Sequence, residues 1–470
     1  MRVTSHARDM VQSGVLGVLA NAFDLSLLYI TDGREEVPLD TFGTAYTWPH
    51  KGRAGTGLLG RIRDWRRDQI NNIAYALNQI SRRRGSEQDD YLITRTTTHW
   101  PWKIVHFVSF VARCHLETPV AWLFRTWLRM TYVPMIPDGE DRPDVMLVMN
   151  NPFNIDGHID DVLRDARAKG IPVFAQQLNW DNLADRNFLE DPDYVGVFGE
   201  QAFLFCRLIH GYSGSRVFLT GSPRFEFLRR DLPDRVEARR RLGLPEQGRI
   251  LMYCSGGRTF DDAGVLRDIN RAIVEGRLPT DVHVYFKGHT GRVTQQVTGD
   301  ETSALEEDDV LSHVTEWEPE TPDTPATLDL YPYLYAACDA LVSPFSTMLL
   351  EGELCGRPAL CLAYNDPDHP SNEFGWDWER TSYRLHLSPL RHSDAVVICE
   401  SREDLIRDCG RVLALLDRPC VAEAAKKNAE IAVTTGLDSC AERIISAVRR
   451  CYTGEGADGS HIMDPGFRDG

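Results

Sequence analysis

Residues 341–358 read LVSPFSTMLLEGELCGRP, and the fold is decided there. The apolar run Cys338–Val342 has the length of a buried strand and is closed by Ser343-Pro344. Met348, Leu349, Leu350, Glu351, Glu353 and Leu354 are good helix formers, with Ser346 and Thr347 at the N-cap position before them. Gly356 and Pro358 supply the stop. A strand feeding straight into a helix leaves the first helical amides, and a partial positive charge, at the carboxyl edge of a sheet, where an anion binds. The hydroxyls of Ser346 and Thr347 add donors for a phosphate. Glu351, one turn on from Thr347 and on the same face, is placed to meet the hydroxyls of an attached ribose. The plainer reading is an N-capped helix with a solvated Glu.

The same alternation runs outward in both directions. Strands are expected at Arg249–Cys254, Val282–Phe286, Ala340–Ser343, Ala359–Ala363 and Ala395–Glu400, with helices near 262–276, 331–338, 346–355, 402–416 and 421–450. The acidic, Pro-rich stretch Gly299–Pro325 reads as an irregular excursion. Upstream, Asp144–Asn150, Pro172–Gln176, Tyr194–Gly199 and Arg216–Gly221 alternate with helices at Ile159–Lys169 and Glu200–His210. Strand, helix, strand at this spacing means parallel, doubly wound sheets. The charged segment Leu228–Gln247 reads as helix and hinge, which gives domains over 1–235 and 246–452 and a disordered tail over 453–470. At the start, Arg2–Ser5 is a short strand, so a little sequence is expected to be missing upstream; His6, Arg8 and Asp9 follow it on a loop. A helical pattern through Met10–Leu19 and a strand, Leu25–Ile30, complete a βαβ opening.

Two α/β domains suit a chain of 470 residues. The net charge of −17 argues against nucleic acid as the main partner. The charge is uneven: residues 1–140 hold 17 Lys and Arg against 14 Asp and Glu, or +3, leaving 35 against 55, or −20. Six of the ten Trp also lie there. Within this part a helix with Ile70, Ile73, Leu77 and Ile80 is bracketed by arginine runs, and Trp100–Met130 is helical in pattern and rich in Trp, Phe and Arg. We read the latter as a helix pair whose aromatics fill the core and whose arginines face water. The competing reading is peripheral contact with a membrane through residues 100–130. Eleven cysteines without paired spacing indicate reduced thiols and a cytoplasmic chain, at most at the inner face of the membrane, with no disulfide framework or zinc ribbon. No apolar run approaches the ~20 residues that span a bilayer.

Three signals in the second half point to one phosphate-bearing ligand. Cys254-Ser255-Gly256-Gly257-Arg258-Thr259 follows the first strand there, and its glycines permit close backbone approach while Arg258 pairs with phosphate. Lys287-Gly288-His289 follows the next strand, and Ser346-Thr347 opens the helix. Strand-to-helix connections of one parallel sheet meet at its carboxyl edge. Other chemistries lack their motifs: there is no GxxxxGKS/T, no GxGxxG after a strand, no GxSxG and no HExxH. Asp191-Pro-Asp193 and Asp366-Pro-Asp368 look like metal-binding pairs but read more readily as turns.

Asp339–Pro358, with its Ser-Pro-Phe-Ser-Thr, Glu and Gly-Arg-Pro, followed by Ala-Tyr-Asn-Asp-Pro-Asp (363–368), resembles the donor domains of GT-B surface-polysaccharide transferases. These include the CDP-glycerol glycerophosphotransferase and capsule Kdo-transferase groups. Asn179–Leu183 and Leu219–Phe225 look like uncharacterised surface-carbohydrate proteins of the same superfamily. The resemblance covers about 144–400. It implies an α/β GT-B fold of two Rossmann-like domains facing across a cleft, with the acceptor side in the first and the nucleotide donor in the second. Ser346 and Thr347 would hold the donor phosphates, Glu351 the ribose, and Lys287 and His289 the leaving phosphate. The Asp-Tyr-Ser-Ser run usual in the glycerophosphotransferases is Ser343–Thr347 here, which favours a sugar donor over glycerol phosphate. With Gly256, Gly257 and Arg258 also facing the charge, neither a metal nor a cofactor beyond the donor is needed. Asp181, then His6 and Asp9, are the expected base, since each follows a strand; Asp181 otherwise caps the next helix. The reaction implied is transfer of a sugar from a nucleotide-activated donor to a surface-polysaccharide or glycolipid acceptor. A polyol-phosphate transferase, a non-hydrolysing nucleotide-sugar 2-epimerase and an inactive binding subunit are the alternatives.

Overall fold

The computed structural model describes residues 10–11, 13–31, 44–49, 69–78, 80–81, 102–132, 134–136, 138–139, 142–149, 158–185, 188–229, 232–256, 260–288, 311–316, 330–365, 378–381, 383–434 and 438–457. The chain divides into two compact units, Met1–Arg224 with Val433–Gly470, and Phe225–Ala432.

In the first unit, helix α1 (Val15–Ala22) leads to β1 (Ser26–Thr31), which pairs in parallel with β2 (Thr44–Pro49) in a two-stranded sheet that the sequence did not disclose. A helix over 69–78 and a hairpin of α2 (Trp102–Arg113) and α3 (Glu117–Met130) follow. The regular part is a four-stranded parallel sheet in the order β3 (Met146–Met149), β4 (Val173–Gln176), β5 (Tyr194–Val197) and β6 (Val217–Leu219). Helix α4 (His158–Ala168) connects β3 to β4, and α5 (Glu200–Leu208) connects β5 to β6.

The second unit opens with α6 (Arg235–Arg241), whose Arg239 is fully buried and donates to the Ala337 carbonyl and the Asp339 carboxylate. What the sequence read as a hinge is thus part of this unit's framework. Its sheet has six parallel strands: β7 (Arg249–Cys254), β8 (Val282–Lys287), β9 (Val314–Glu316), β10 (Ala340–Pro344), β11 (Ala359–Leu362) and β12 (Val396–Cys399). β9 falls inside the stretch expected to be irregular. Its main helices are α7 (Asp262–Val274), α8 (Tyr331–Ala337), α9 (Thr347–Leu354), α10 (Leu405–Leu415) and α11 (Val421–Ala432). The strand order is β12-β11-β10-β7-β8-β9. The chain therefore moves outward from β7 to β9, then returns to the other side of β7, so the winding reverses between β7 and β10. Strands β7 and β10 are buried almost throughout, as a sheet covered on both faces requires. Leu341, Leu349 and Leu350 are fully buried, each worth roughly 1.5–3 kcal/mol. Gly352 lets α9 lie on β10, because a Cβ there would come within 2.6 Å of Leu341 Cδ1.

The long helix expected over 421–450 is two. After α11 the chain re-enters the first unit, and α12 (Cys440–Thr453) begins with a capping box of Ser439 and Glu442. Its Cys440, Ala441 and Ile444 pack with Leu16 and Leu19 of α1, and Ala447 and Cys451 with Phe174 and Phe218 of the sheet. The first unit thus ends at Arg224 rather than 235 and takes back the C-terminal helix. Part of the expected tail is also ordered, since the Ala457 amide donates to the Ser215 carbonyl at 2.7 Å.

The α2–α3 hairpin reverses the expectation for its side chains. Phe107, Phe110, Trp122 and Trp127 are exposed, whereas Arg125 and Arg129 are bonded to Asp191 and Glu190. The small and aliphatic residues Val108, Val111, Ala121 and Leu128 do the packing instead, against Ala74, Ala76 and Leu77.

Candidate functional site

Open parallel sheets bind ligands beyond the carboxyl ends of their strands, where the winding reverses. In the second unit that point lies between β7 and β10, beside β8. Residues from all three sequence-selected loops lie there. Gly256, two residues past β7, lies against the Pro344 end of β10: a Cβ on it would be 2.8 Å from Pro344 Cγ and from Phe260 Cβ. Lys287 is the last residue of β8 and the register partner of Cys254, and the Ser255 amide donates to its carbonyl at 2.9 Å. Ser346 and Thr347 open α9 just beyond β10. Gly257 and Arg258 of the loop after β7, and His289 of the loop after β8, lie outside the described residues.

Ser346 has extended backbone at the N-cap position, but its hydroxyl caps no amide. It sits 3.1 Å from the Ser343 hydroxyl, which donates to the Cys254 carbonyl at 3.0 Å. Because the Ser343 proton is thus committed, Ser346 is the donor of that pair, and this relay stitches the end of β10 to β7. The Leu349 amide donates to the Ser346 carbonyl, while Thr347 and Met348 occupy the first turn, where amides lack an intrahelical acceptor. Lys287 is largely buried, with Nζ 5.2 Å from the centroid of the Tyr331 ring.

The loop after β7 is shaped by a residue that the sequence reading passed over. Asp262, almost fully buried at the start of α7, accepts from the Tyr253 hydroxyl at 2.9 Å, the Gly256 amide at 3.2 Å and the Ser255 hydroxyl. Burial and the Asp262 charge push the Tyr253 phenol well above its ordinary pKa, so it stays a donor. Asp261 beside it caps α7 through the Gly264 amide and pairs with Arg402, which also binds Asp268. The signal available was the Asp-Asp pair at a helix start, which reads as capping alone.

Glu351 is not at the open edge. It is fully buried, and its Oε2 accepts from the Tyr335 hydroxyl at 2.5 Å, behind α9. Neither the solvated Glu nor the ribose contact fits that position. The Asp191–Asp193 pair is structural as well: Asp191 pairs with Arg125, and Asp193 accepts from the Val173 amide at 2.9 Å.

In the first unit Asp181 follows β4, in a turn fixed by its neighbours. Gln177 accepts from the Phe198 amide, Asn182 from the Asn179 amide, and the Trp180 indole donates to Gln201. Asp181 is half-buried at the carboxyl edge of this sheet. His6 and Asp9 lie outside the described residues.

No family model matches the sequence, and no curated protein matches it. Solved structures are similar to it in fold. A Listeria monocytogenes protein described as a UDP-N-acetylglucosamine 2-epimerase is similar over 96% of this chain and 95% of that one, at 13% identity and a TM-score of 0.48. MurG of Acinetobacter baumannii is similar over 96% and 97%, at 13% identity and 0.45. The wall teichoic acid polymerase TagF is similar over 58% of this chain and 59% of that one, at 14% identity and 0.33. This chain has two units, each with a parallel sheet, and in the second the winding reverses.

Proposed function

We propose that the protein is a glycosyltransferase that moves a sugar from a nucleotide-activated donor to a surface-polysaccharide or glycolipid acceptor. The reading rests on one observation: Lys287, the Gly256 loop and the start of α9 share one edge of the six-stranded sheet, at its point of reversal. The donor's phosphates would lie against the first-turn amides of α9 and the Thr347 hydroxyl. Lys287, with Arg258 and His289 from the adjoining loops, would meet the charge that grows as the phosphate leaves. Fixed dipoles and cations aimed at developing charge lower the barrier without reorganising, so this assignment gives a metal ion no role. The acceptor hydroxyl needs a base, and we assign Asp181, with His6 and Asp9 as the further candidates. Glu351 is withdrawn from the ribose, for the burial described above.

A thermal-shift screen against UDP, CMP, CDP, GDP, their sugars and CDP-glycerol tests the donor half, because selective binding stabilises the fold by mass action. One nucleotide should raise Tm, and Lys287→Met should weaken it about tenfold. Stabilisation by none of them would remove the reading. Asp181→Asn should abolish turnover with donor binding intact, and an unchanged kcat would take Asp181 out of the mechanism. Turnover of a nucleotide sugar without acceptor would make the protein an epimerase instead.

A further inference from the structure

The exposed side of the α2–α3 hairpin has no part in the reading above, and it is unlike the rest of the surface. Of sixteen exposed large apolar side chains among the described residues, seven lie within residues 107–130. Phe107 and Phe110 are on α2, and Trp122, Leu123, Trp127 and Met130 run along one side of α3. Phe110, Trp122 and Met130 are 63%, 62% and 73% exposed. Single exposed apolar residues need no explanation, but a contiguous group marks an interaction site. The opposite side of both helices is used up in packing on the 69–78 helix. The hairpin is therefore held by its small residues and presents its large ones outward.

Three features fix the chemistry of what covers it. The face carries a cation and no acid in a chain of −17: Arg113 is exposed, while Arg125 and Arg129 are held by Asp191 and Glu190. Glu117 is buried, so no acidic side chain among the described residues of the hairpin is exposed. Three of its hydroxyls are also already satisfied. Thr126 donates to the Trp122 carbonyl and Thr131 to the Trp127 carbonyl, each at 2.9 Å, and Thr118 lies 2.6 Å from the Ser81 hydroxyl. A protein partner would find few open polar groups to pair with, whereas hydrocarbon demands that none be left open. Finally, no helix among the described residues is long and apolar enough to cross a membrane. Twelve- and fourteen-residue helices with aromatic faces lie in the interface instead, about 5–10 Å deep.

We propose that this face docks the first unit onto an anionic lipid bilayer, with the Phe and Trp side chains at the acyl boundary and Arg113 at the headgroups. Full-length protein should sediment with vesicles of phosphatidylcholine and phosphatidylglycerol, and more weakly with phosphatidylcholine alone. Joint Trp122→Asp and Leu123→Asp substitution should weaken that binding at least about tenfold, since each side chain forfeits roughly 1.5–3 kcal/mol of burial. Leu208→Asp on α5, equally exposed but elsewhere, should leave it unchanged. Should the double variant fail to fold, a fluorophore reports on the intact face. Cys114, exposed in the turn between the helices, is labelled in a Cys420→Ser background, and its emission should shift to the blue on mixed vesicles. The proposal is overturned by a chain that neither sediments nor shifts, or by a double variant that sediments like the parent. A dimer that the double variant dissolves would also overturn it, by making a second copy the occupant.

Discussion

Replacing Glu353 by Gln should stabilise the protein at alkaline pH and hardly change it at acid pH. Glu353 sits on α9, the helix whose start carries the proposed phosphate site. Its carboxyl is fully buried, with Oε1 2.5 Å from the Ser393 hydroxyl and Oε2 2.7 Å from Asn428 Nδ2 on α11. Burial pushes its pKa from 4.5 to about 7, against the opposing pull of those two hydrogen bonds. The folded state therefore holds the proton more tightly than the unfolded chain. The stability this confers is complete below the unfolded pKa and is lost as pH rises through about 7. At roughly 1.4 kcal/mol per pH unit, the interval sets the loss at no more than about 3 kcal/mol. Gln presents a donor N–H2 and an acceptor C=O where the protonated acid has its O–H and C=O, and it does not titrate, so it keeps what Glu353 loses. In a unit of this size the gain corresponds to about 6–12 °C in Tm. Thermal unfolding of both proteins followed from about pH 5 to about pH 8.5 measures it as a Tm gap that opens with pH. A gap that stays constant, or a variant less stable at the alkaline end, would refute the reasoning.

Gly256→Ala puts a methyl 2.8 Å from Pro344 and Phe260, so the loop must move away from β10. Nucleotide affinity, measured by calorimetry, should fall at least about tenfold, and by far more than stability does. Asp262→Leu leaves the Tyr253 and Ser255 hydroxyls and the Gly256 amide without their acceptor. It should cost roughly 2–4 kcal/mol in denaturant unfolding and lower affinity with it, whereas Asp262→Asn, which retains one acceptor oxygen, should cost less than half as much.

What was legible in the sequence follows from how local each signal is. The strands of the second unit were readable because a parallel sheet buries both faces, which makes Arg249–Cys254 and Ala340–Pro344 continuous apolar runs. β9 was not, because Val314–Glu316 is short and only half-buried, and an edge strand leaves little periodicity. β1 pairs with β2 across twelve intervening positions that carry no signal of the pairing. The return of α12 to the first unit depends on contacts with α1 and the sheet, hundreds of residues distant in sequence, and a helical pattern does not say which core it faces. The aromatic hairpin misled for a related reason: large apolar residues are usually inside, but here Ala74, Ala76 and Ala121 already close the packing. At the candidate site, Gly256, Lys287 and Ser346 could be grouped because all follow strands. Asp262 and the partner of Glu351 could not, since both depend on side chains meeting across the fold.

Asp262 also narrows what the β7 loop can contribute to an anion. A carboxylate under a phosphate loop is unfavourable unless its charge is spent inward, and here it is spent on Tyr253, Ser255 and the Gly256 amide. The Gly256 amide, with its hydrogen directed at Asp262, is then a poor candidate for a phosphate contact; the glycine's part is to admit the close approach of Pro344. The Ser346 proton is likewise directed at Ser343. Of the groups assembled from the sequence, the first-turn amides of α9 and the Thr347 hydroxyl are the ones not directed inward among the described residues, and Lys287 stands beside them at the end of β8. Recognition of the phosphate at this edge would thus rest on a helix start and a lysine, and the serines and the glycine would hold that start at the right height above the sheet. Thr347→Val should therefore weaken nucleotide binding about tenfold or more, by the worth of one hydrogen bond to a charged group, while Ser346→Ala should act chiefly on stability. The opposite ordering in the two calorimetric titrations would mean that the Ser346 hydroxyl leaves Ser343 for the ligand.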